Sequence, residues 1–261
     1  MNKEIKILSL NIGNPSLERA KRQCEWLKER PEDIFVLTET KCSGGCEYIE
    51  NFFFQYGFDL FSLNSDIEYD VSFPKSNTGD LGVMIVSKHK ITHSFNCFDS
   101  NSQYYSRQLE VTIEIDGKPL KIVGLYVPSR NAEKHKIERK QKFIKYIEKY
   151  IFVTDDANRI IAGDFNILSR DHLPHYNTFL SWEYDFYDHL KALGYEDAFS
   201  HCNPGVQDYS WVGRTNDGYR YDYCFVHSSL LDYVTECFFI HETRLKRLTD
   251  HSAIVLTLSG L

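Results

Sequence analysis

The sequence lacks any apolar run that approaches the roughly 20 residues needed to span a membrane. Its start, from Met1 to Lys6, is polar and charged, and the apolar run that follows is too short for a secretory signal. Linkers rich in Pro, Gly and Ser, internal repeats and low-complexity tracts are also missing. We therefore expect residues 1–261 to form one domain that does not associate with membranes.

Cysteine is present, but not in a zinc-binding pattern. The seven cysteines are scattered along the chain, and only Cys42 and Cys46 lie close together. Neither a second pair nor a nearby histidine completes a set of zinc ligands. We interpret the cysteines as reduced thiols, which predicts a cytoplasmic location.

Positive charge is in short supply, because 30 Lys and Arg residues face 37 Asp and Glu residues and give a net charge of −7. This balance argues against strong nonspecific binding of nucleic acid, since such binding neutralises phosphates with Lys and Arg. It does not exclude an enzyme that meets nucleic acid locally. Carboxylates that hold a divalent cation also lower the net charge when the metal is not counted.

Apolar segments with strand and helix patterns make up most of the chain. The run from Ile5 to Ile12 predicts a buried strand, a helix begins near Pro15, and Asp33 to Thr38 predicts a second strand. Further predicted strands are 81–87, 108–115, 120–127, one ending at Asp164, one near Ser210, 219–226, 235–240 and 252–258, and further predicted helices are 132–151 and 179–193, with a hairpin at Asp116-Gly117. Two sheets packed face to face, with helices outside, would bury this pattern.

Several of these strands end in, or contain, polar residues that suit the hydrolysis of a phosphate ester. Each residue alone has an ordinary explanation, since strands must end and polar residues favour their ends. Their occurrence together along one chain indicates a single catalytic site. The residues are Asn11, Glu39, Tyr126, Asp164, Asn166, Asp222, Asp250 and His251.

The carboxylates and amides in this set suit a metal ion and a water molecule. A hard cation takes oxygen ligands, commonly one or two carboxylates together with water and substrate phosphate. Glu39 suits that role, with Asn11 and Asp250 as further ligands. Asp164 and Asn166 stand two positions apart, so in extended backbone they point to the same side. Asp164 would take the proton of the attacking water, while Asn166 would hold the water or a phosphate oxygen.

His251 is expected to donate to a phosphoryl oxygen and to stabilise the charged transition state. A histidine with this role needs a partner on its other ring nitrogen. Its neighbour Asp250 points to the opposite face of a strand and is a poor partner. We therefore expect Asp222 to orient His251 and the carboxylate of Asp250 to face the metal.

Six motifs follow one another in order and spacing over nearly the whole chain: Leu-Asn11, Thr-Glu39-Thr-Lys41, Tyr126-x-Pro128, Gly-Asp164-x-Asn166, Arg220-x-Asp222-Tyr223 and Thr-Asp250-His251. Together they resemble the endonuclease/exonuclease/phosphatase superfamily. Within it, the chain looks most like abasic-site endonucleases of the exonuclease III type. The narrower resemblance rests on Glu39-Thr-Lys41, on the strand from Gly82 to Lys88, and on the run from Leu193 to Phe199 that leads to Ser210-Trp211.

The resemblance implies a fold and a cofactor. The fold is a four-layer α/β/β/α sandwich of two packed, mostly antiparallel sheets with helices outside. The cofactor is Mg²⁺, with Mn²⁺ as a substitute, held mainly by Glu39 with Asn11 and Asp250 near it.

The resemblance also implies roles for the remaining residues. Asp164 and Asn166 act on the water, Tyr126 acts on the phosphate or the nucleophile, and the Asp222–His251 pair lies opposite. Whether Asp164 or His251 is the formal base stays open.

Substrate contacts are expected from the loops around the site. Trp211 matches an aromatic residue that helps to line the sugar pocket in abasic-site endonucleases, and Arg130 is placed to hold a phosphate bidentately. The segment from Ile167 to Trp182 is shorter than the stretch that supplies a groove-entering loop in those enzymes. Of two basic stretches, we interpret 134–149 as a solvated helix face, whereas 244–247 is as consistent with phosphate binding as with a surface role.

The predicted function is therefore a Mg²⁺-dependent DNA nuclease of the exonuclease III type. Its partner would be nucleic acid, namely DNA, with no obligate protein partner. The alternative is a phosphodiesterase or phosphatase that acts on RNA ends, nucleotides or other small phosphate esters, because the superfamily supports all of these at one site. A catalytically silent binding module is disfavoured, since every catalytic-type residue is present.

Overall fold

The structure, a computed structural model, describes residues 4–56, 69–76, 79–153 and 158–261. Its strands follow the apolar segments of the sequence, and several bounds agree with the predicted ones to within two residues. In chain order they are β1 (Glu4–Asn11), β2 (Ile34–Thr40), β3 (Asp70–Ser72), β4 (Gly82–Ser87), β5 (Ile91–Phe95), β6 (Gln108–Ile115), β7 (Lys118–Tyr126), β8 (Arg159–Asp164), β9 (Tyr195–Asp197), β10 (Trp211–Val212), β11 (Gly218–Tyr219), β12 (Asp222–His227), β13 (Val234–Ile240) and β14 (Ala253–Ser259).

The helices lie mainly in the connections between strands. The predicted helix after Pro15 is present, and the Ser16 hydroxyl caps its first turn by accepting from the backbone N–H of Arg19. Within the described ranges, none of the helices is both long enough and apolar enough to cross a membrane. They are α1 (Leu17–Lys28), α2 (Gly44–Tyr56), α3 (Lys134–Val153), α4 (Ser181–Ala192), α5 (Ala198–Cys202) and α6 (Glu242–Leu245), with 3₁₀ turns at Tyr105–Arg107 and Ser228–Tyr233.

Two six-stranded sheets form the centre of the fold. Their strand orders are β13-β14-β1-β2-β4-β3 and β5-β6-β7-β8-β12-β9. Most neighbours are antiparallel, but each sheet contains one parallel pair, β1 with β2 and β7 with β8. A helix connects the two strands of each parallel pair, as parallel pairing requires. The predicted sandwich of mostly antiparallel sheets is confirmed.

Three apolar clusters hold the four layers together. On β1, Ile5 and Ile7 pack between the two sheets, whereas Leu8 and Leu10 pack under α1 and α2 on the outer face. This division follows from the alternation of side chains along a strand. A third cluster, under α3 and α4, covers the outer face of the second sheet. The strands near the centre are therefore apolar on both faces, and polar chemistry is confined to their ends.

The hairpin between β6 and β7 agrees with the prediction, whereas one predicted strand is interrupted. The hairpin at Asp116 and Gly117 joins β6 to β7, and both residues have the positive φ of a type I′ turn. The predicted strand 219–226 is divided into β11 and β12. The division has a physical reason, because the N–H of Arg220 donates to His172 and that of Tyr221 donates to Ser210 rather than to a neighbouring strand.

Candidate active site

The carboxyl ends of the two parallel strand pairs meet at one edge of the sandwich. β1 ends at Asn11 and β8 ends at Asp164, and the Asn11 amide donates to the Asp164 carboxylate over 2.9 Å. β7 ends at Tyr126, whose hydroxyl donates to Glu39 near the end of β2 over 2.8 Å. Both hydrogen bonds cross from one sheet to the other. The structure therefore brings four sequence-predicted residues into one site.

His251 and Asp222 complete the buried part of this site. Asp222 lies directly opposite Asp164 in the register of β12 with β8. Its Oδ2 lies 2.7 Å from Nδ1 of His251, which leaves Nε2 as the nitrogen that can act on a substrate. Asp250 does not contact His251 through its carboxylate. It accepts instead from the indole N–H of Trp211 over 2.9 Å, so the structure pairs His251 with Asp222, the partner expected from strand geometry.

The electrostatics of the cluster follow from burial and from the proximity of like charges. Burial, together with the charge of Asp222, raises the pKa of Asp164 to about 8. Burial alone would lower the pKa of His251, but Asp222, Asp164 and Asp250 outweigh it and raise that pKa to about 9. Burial and the neighbouring carboxylates of Glu39 and Asp164 hold the pKa of Tyr126 well above its usual range. His251 is therefore cationic at neutral pH, and Tyr126 is a hydrogen-bond donor.

Two of the candidate site residues have backbone in the left-handed region. Glu39 has φ 56° at a bulge where the register between β2 and β4 shifts. A bulge redirects the side chain that it carries, which here turns the Glu39 carboxylate towards Tyr126. Asn166 has φ 49°, and its backbone N–H donates to Asp164 over 2.9 Å. Left-handed backbone at residues other than glycine is costly and often marks functional sites.

A buried lysine forms a hydrogen bond with the backbone of Asn166. Nζ of Lys140 donates to the Asn166 carbonyl over 2.6 Å and to Glu183 over 2.5 Å. Lys140 is only 1% exposed, although the basic stretch 134–149 was interpreted as a solvated helix face. The interpretation fails at this position because Glu183 on α4 supplies a buried counter-charge. Lys142, Lys145 and Lys149 on the same helix are exposed, as expected.

An arginine packs against the ring of Tyr126. The Arg107 guanidinium lies over the Tyr126 ring, 4.7 Å from its centroid, and donates to the Tyr126 carbonyl. Asp80 accepts from Arg107 through two hydrogen bonds and also from Arg139 on α3. This network fixes the ring that presents the hydroxyl to Glu39.

The donor set fits a hard divalent cation. Glu39 is partly exposed and Asn11 presents a carbonyl oxygen, which are ligand types that Mg²⁺ prefers. Asp164, Asp222 and His251 form a second possible ligand group, with one atom of each within 4.8 Å of the others. Oδ1 of Asp222 is buried without a hydrogen-bond partner among the described residues. Carboxylates crowded in this way repel one another, and a cation relieves that repulsion.

A cavity of about 500 Å³ opens beside Asn166. The aromatic residues of its lining are Phe179, Tyr219 and Tyr221, and Tyr176, which lies outside the lining, stacks on Tyr219 with ring centroids 4.2 Å apart. Tyr176 belongs to the short segment between β8 and α4, so this segment packs against the site. Arg130 lines the cavity, but Glu183 pairs with its guanidinium. The lining consists of Ser129, Arg130, Asn131, Ala132, Lys140, Asn166, Thr178, Phe179, Glu183, Tyr219 and Tyr221.

Sequence reasoning missed several residues of this environment. Tyr219 and Tyr221 flank the Arg220 position at the spacing that places side chains on one face of a strand, and this alternation could have marked them. Lys140, Glu183 and Arg107 gave no such signal, because each acts through a partner distant in the sequence. Trp211 was expected beside the sugar pocket. Its ring lies 5.5 Å from that of Tyr219, and its N–H is turned to Asp250.

Comparison with known proteins agrees with this geometry. A model of the Endonuclease/Exonuclease/phosphatase family matches residues 8–251. The curated Recombination repair protein 1 of Drosophila melanogaster is 26% identical, and the match covers 97% of this chain and 37% of that protein. The chain thus spans little more than a third of the length of this relative.

Solved structures share the fold at low sequence identity. An AP endonuclease from Archaeoglobus fulgidus superposes with a TM-score of 0.80 at 22% identity, covering 97% of this chain and 99% of that one. The 3′ phosphatase NExo from Neisseria, bound to a product DNA hairpin, superposes with a TM-score of 0.79 at 18% identity, covering 97% of this chain and 98% of that one.

Proposed function

The chain belongs to the endonuclease/exonuclease/phosphatase family and is a hydrolase of phosphate esters; from this premise we propose that it is a Mg²⁺-dependent DNA nuclease that incises at abasic sites. The observation that carries the proposal is the hydrogen-bonded cluster of Asn11, Asp164, Asp222 and His251 beside an aromatic cavity. The cluster supplies groups for proton transfer and for stabilising a phosphoryl oxygen. The cavity supplies space for a group extruded from the DNA stack.

The roles within the cluster follow from its electrostatics. His251 carries its proton at neutral pH and can donate from Nε2 to a phosphoryl oxygen. This favours Asp164 as the acceptor of the proton from the attacking water, with Asn166 holding that water. The raised pKa of Asp164 would oppose this role, but a cation held by Asn11 and Glu39 would stabilise the ionised carboxylate. When bound, Mg²⁺ would stabilise the developing negative charge on the phosphate.

Three observations favour abasic DNA as the substrate. The similar proteins include an AP endonuclease and a phosphatase bound to DNA. The cavity next to Asn166 is lined by Tyr219 and Tyr221, whose rings stack with centroids 5.2 Å apart, and such rings can pack against a sugar or a base. Arg130 and Lys140, which also line it, both pair with Glu183, so neither cation is left unpaired in the lining, which suits a neutral sugar better than a second phosphate.

Incision of defined duplexes tests the proposal. The protein is incubated with Mg²⁺ and end-labelled duplexes, one intact and one with a single abasic site, beside RNA and a small phosphodiester. We expect incision at the abasic site, loss of activity with a chelator, and recovery when Mg²⁺ or Mn²⁺ is added back. Turnover of the small ester or of RNA ends without incision of DNA would replace the proposal with the alternative activity. Activity that survives both the chelator and Asp164→Ala would refute the site itself.

A further inference from the structure

A second cavity, of about 350 Å³, lies at the outer side of the active site. Its lining consists of Arg19, Val212, Arg244, Arg247, Thr249 and Asp250, and we call it the arginine cleft. The cleft shares Asp250 with the predicted metal region, and Asp250 is the sequence neighbour of His251. A group bound in the arginine cleft would therefore lie next to the group bound in the active site.

The arginines of the cleft differ from most others in the protein because carboxylates do not neutralise them. Arg107, Arg130 and Arg220, for example, pair with Asp80, Glu183 and Asp197. Within the described ranges, Arg19, Arg244 and Arg247 form no ion pair with Asp or Glu.

Their nitrogens are also incompletely satisfied. Arg19 donates to the Gly13 carbonyl, but its Nε is buried and has no hydrogen-bond partner among the described residues. Arg244 donates to the Ser252 hydroxyl over 3.4 Å. A guanidinium carries five N–H donors, so these contacts leave most donors of the cleft arginines for a ligand that accepts hydrogen bonds.

Several contacts fix the position of these arginines relative to the active site. Gln23 on α1 donates to the carbonyls of Ile12 and Leu248 over 3.0 and 2.8 Å. The Thr249 hydroxyl donates to the carbonyl of Asn11 over 2.7 Å. The loop that carries Arg247 is thus attached to α1 and to the catalytic end of β1. A preorganised site of this kind loses little conformational freedom on binding.

Arg247 itself occupies a costly backbone conformation. It follows the end of α6 with φ 54°, in the left-handed region where glycine or asparagine would be less strained. An outlier of this kind at the rim of an active site supports a functional role for the residue. The side chain of Arg247 is the third guanidinium that lines the cleft.

We propose that the arginine cleft binds a second phosphate of the substrate strand, adjacent to the phosphodiester that the active site hydrolyses. The proposal rests on the function proposed above, because it requires a substrate with more than one phosphate. Guanidinium groups bind phosphate oxygens through paired, charge-assisted hydrogen bonds. In a chain with a net charge of −7, this local positive site offers a contact to a polyanion that the overall charge does not. A polynucleotide fits both sites, whereas an isolated phosphate ester fits only one.

The test compares two substrates in the double variant Arg244→Gln/Arg247→Gln. The substrates are an abasic oligonucleotide duplex and bis(p-nitrophenyl) phosphate, which has a single phosphate. We expect kcat/KM for the oligonucleotide to fall at least tenfold more than kcat/KM for the small ester. The slope of log kcat/KM against log salt should decrease in magnitude by about one to two. The control is Lys145→Gln/Lys149→Gln, which removes the same charge from the exposed face of α3 and should change both values little.

A binding measurement separates this proposal from the proposed function. Fluorescence anisotropy of a labelled oligonucleotide is measured with Asp164→Asn, alone and combined with the cleft variant. Weaker binding in the combination supports the cleft even if the wild type incises no abasic DNA. Equal binding in both proteins would overturn the cleft proposal, whatever the incision assay shows. Equal losses on both substrates in folded protein would also overturn it, because the cleft would then act on the catalytic site in general.

Discussion

Two strand–helix–strand units of the same topology build the proposed active site from opposite sheets. The first runs from β1 through α1 to β2 and delivers Asn11 and Glu39; the second runs from β7 through α3 to β8 and delivers Tyr126 and Asp164. The carboxylate of the first unit is partly exposed, whereas that of the second is 1% exposed. One topology therefore gives an open side suited to a cation and a closed side suited to proton transfer.

The helices of the two units also differ, because one carries an unpaired cation and the other a cation that is paired with a carboxylate. α1 directs Arg19 to the arginine cleft, where no carboxylate of the described chain pairs with it. α3 directs Lys140 beneath Asn166, where Glu183 neutralises it. A free cation beside the open side can bind substrate. A neutralised cation inside the closed side can only hold other groups in place.

The largest effect is expected on the closed side, from Asp164→Asn. This change keeps the size of the side chain but removes the group proposed to accept the proton, so kcat on an abasic duplex should fall about 10²- to 10⁴-fold. Thermal unfolding should show that the variant remains folded. Raising the Mg²⁺ concentration should not restore activity. Recovery with Mg²⁺ would mean that Asp164 serves mainly as a metal ligand, and the two sides would not differ as argued.

A smaller effect is expected for Asp222→Asn, which lies behind the closed side. The amide oxygen can still accept a hydrogen bond, but it carries no negative charge. The cationic form of His251 therefore loses the charge that stabilises it most. We expect kcat to fall on the order of 10²-fold, with a smaller change in KM. Steady-state kinetics measure both values. A loss of tenfold or less would show that Asp222 is not the residue that orients His251.

The open side should respond to Glu39→Gln in a different way. The amide is a weaker ligand for a hard cation, so the Mg²⁺ concentration for half-maximal activity should rise about 10- to 100-fold. Activity at saturating Mg²⁺ should recover much of the wild-type value, unlike that of Asp164→Asn. A titration of incision rate against Mg²⁺ distinguishes the two variants. An unchanged midpoint with lower maximal activity would place the cation elsewhere, for example at Asp164, Asp222 and His251.

The sequence made the strand ends predictable but not the groups that support them. Apolar runs marked the strands, and hydrolysis of a phosphate ester needs carboxylate, amide and imidazole groups, so Glu39, Asp164 and His251 stood out by chemical type. The pairing of His251 with Asp222 was predictable as well, because alternation along a strand turns Asp250 away. These inferences require only local geometry and composition.

Residues that act through distant partners were not predictable in this way. A lysine within a basic helix indicates a solvated face, and only the packing of α4 against α3 makes Lys140 a buried ion pair. Arg107 likewise acquires its place over Tyr126 from the pairing of β6 with β7. The bulge that turns Glu39 depends on its register with β4, which a single strand does not specify.

The smallest effect on catalysis, with the largest effect on stability, is expected for Lys140→Met. Methionine fills the space of the lysine stem but leaves the carbonyl of Asn166 without its donor, so kcat should fall about tenfold as the Asn166 backbone relaxes. Glu183 keeps its ion pair with Arg130, but Glu183 and the Asn166 carbonyl each lose a buried donor, which should lower the free energy of unfolding by about 2–4 kcal/mol. Urea denaturation measures the stability, and Lys145→Met on the exposed face of the same helix is the matched control, expected to change both values little. The double variant Lys140→Met/Glu183→Gln should be less stable than Lys140→Met and should regain none of the activity, because it also removes the carboxylate that pairs with Arg130. Recovery of activity in the double variant would mean that Asn166 keeps its position without Lys140, and the closed side would not depend on α3 to hold Asn166.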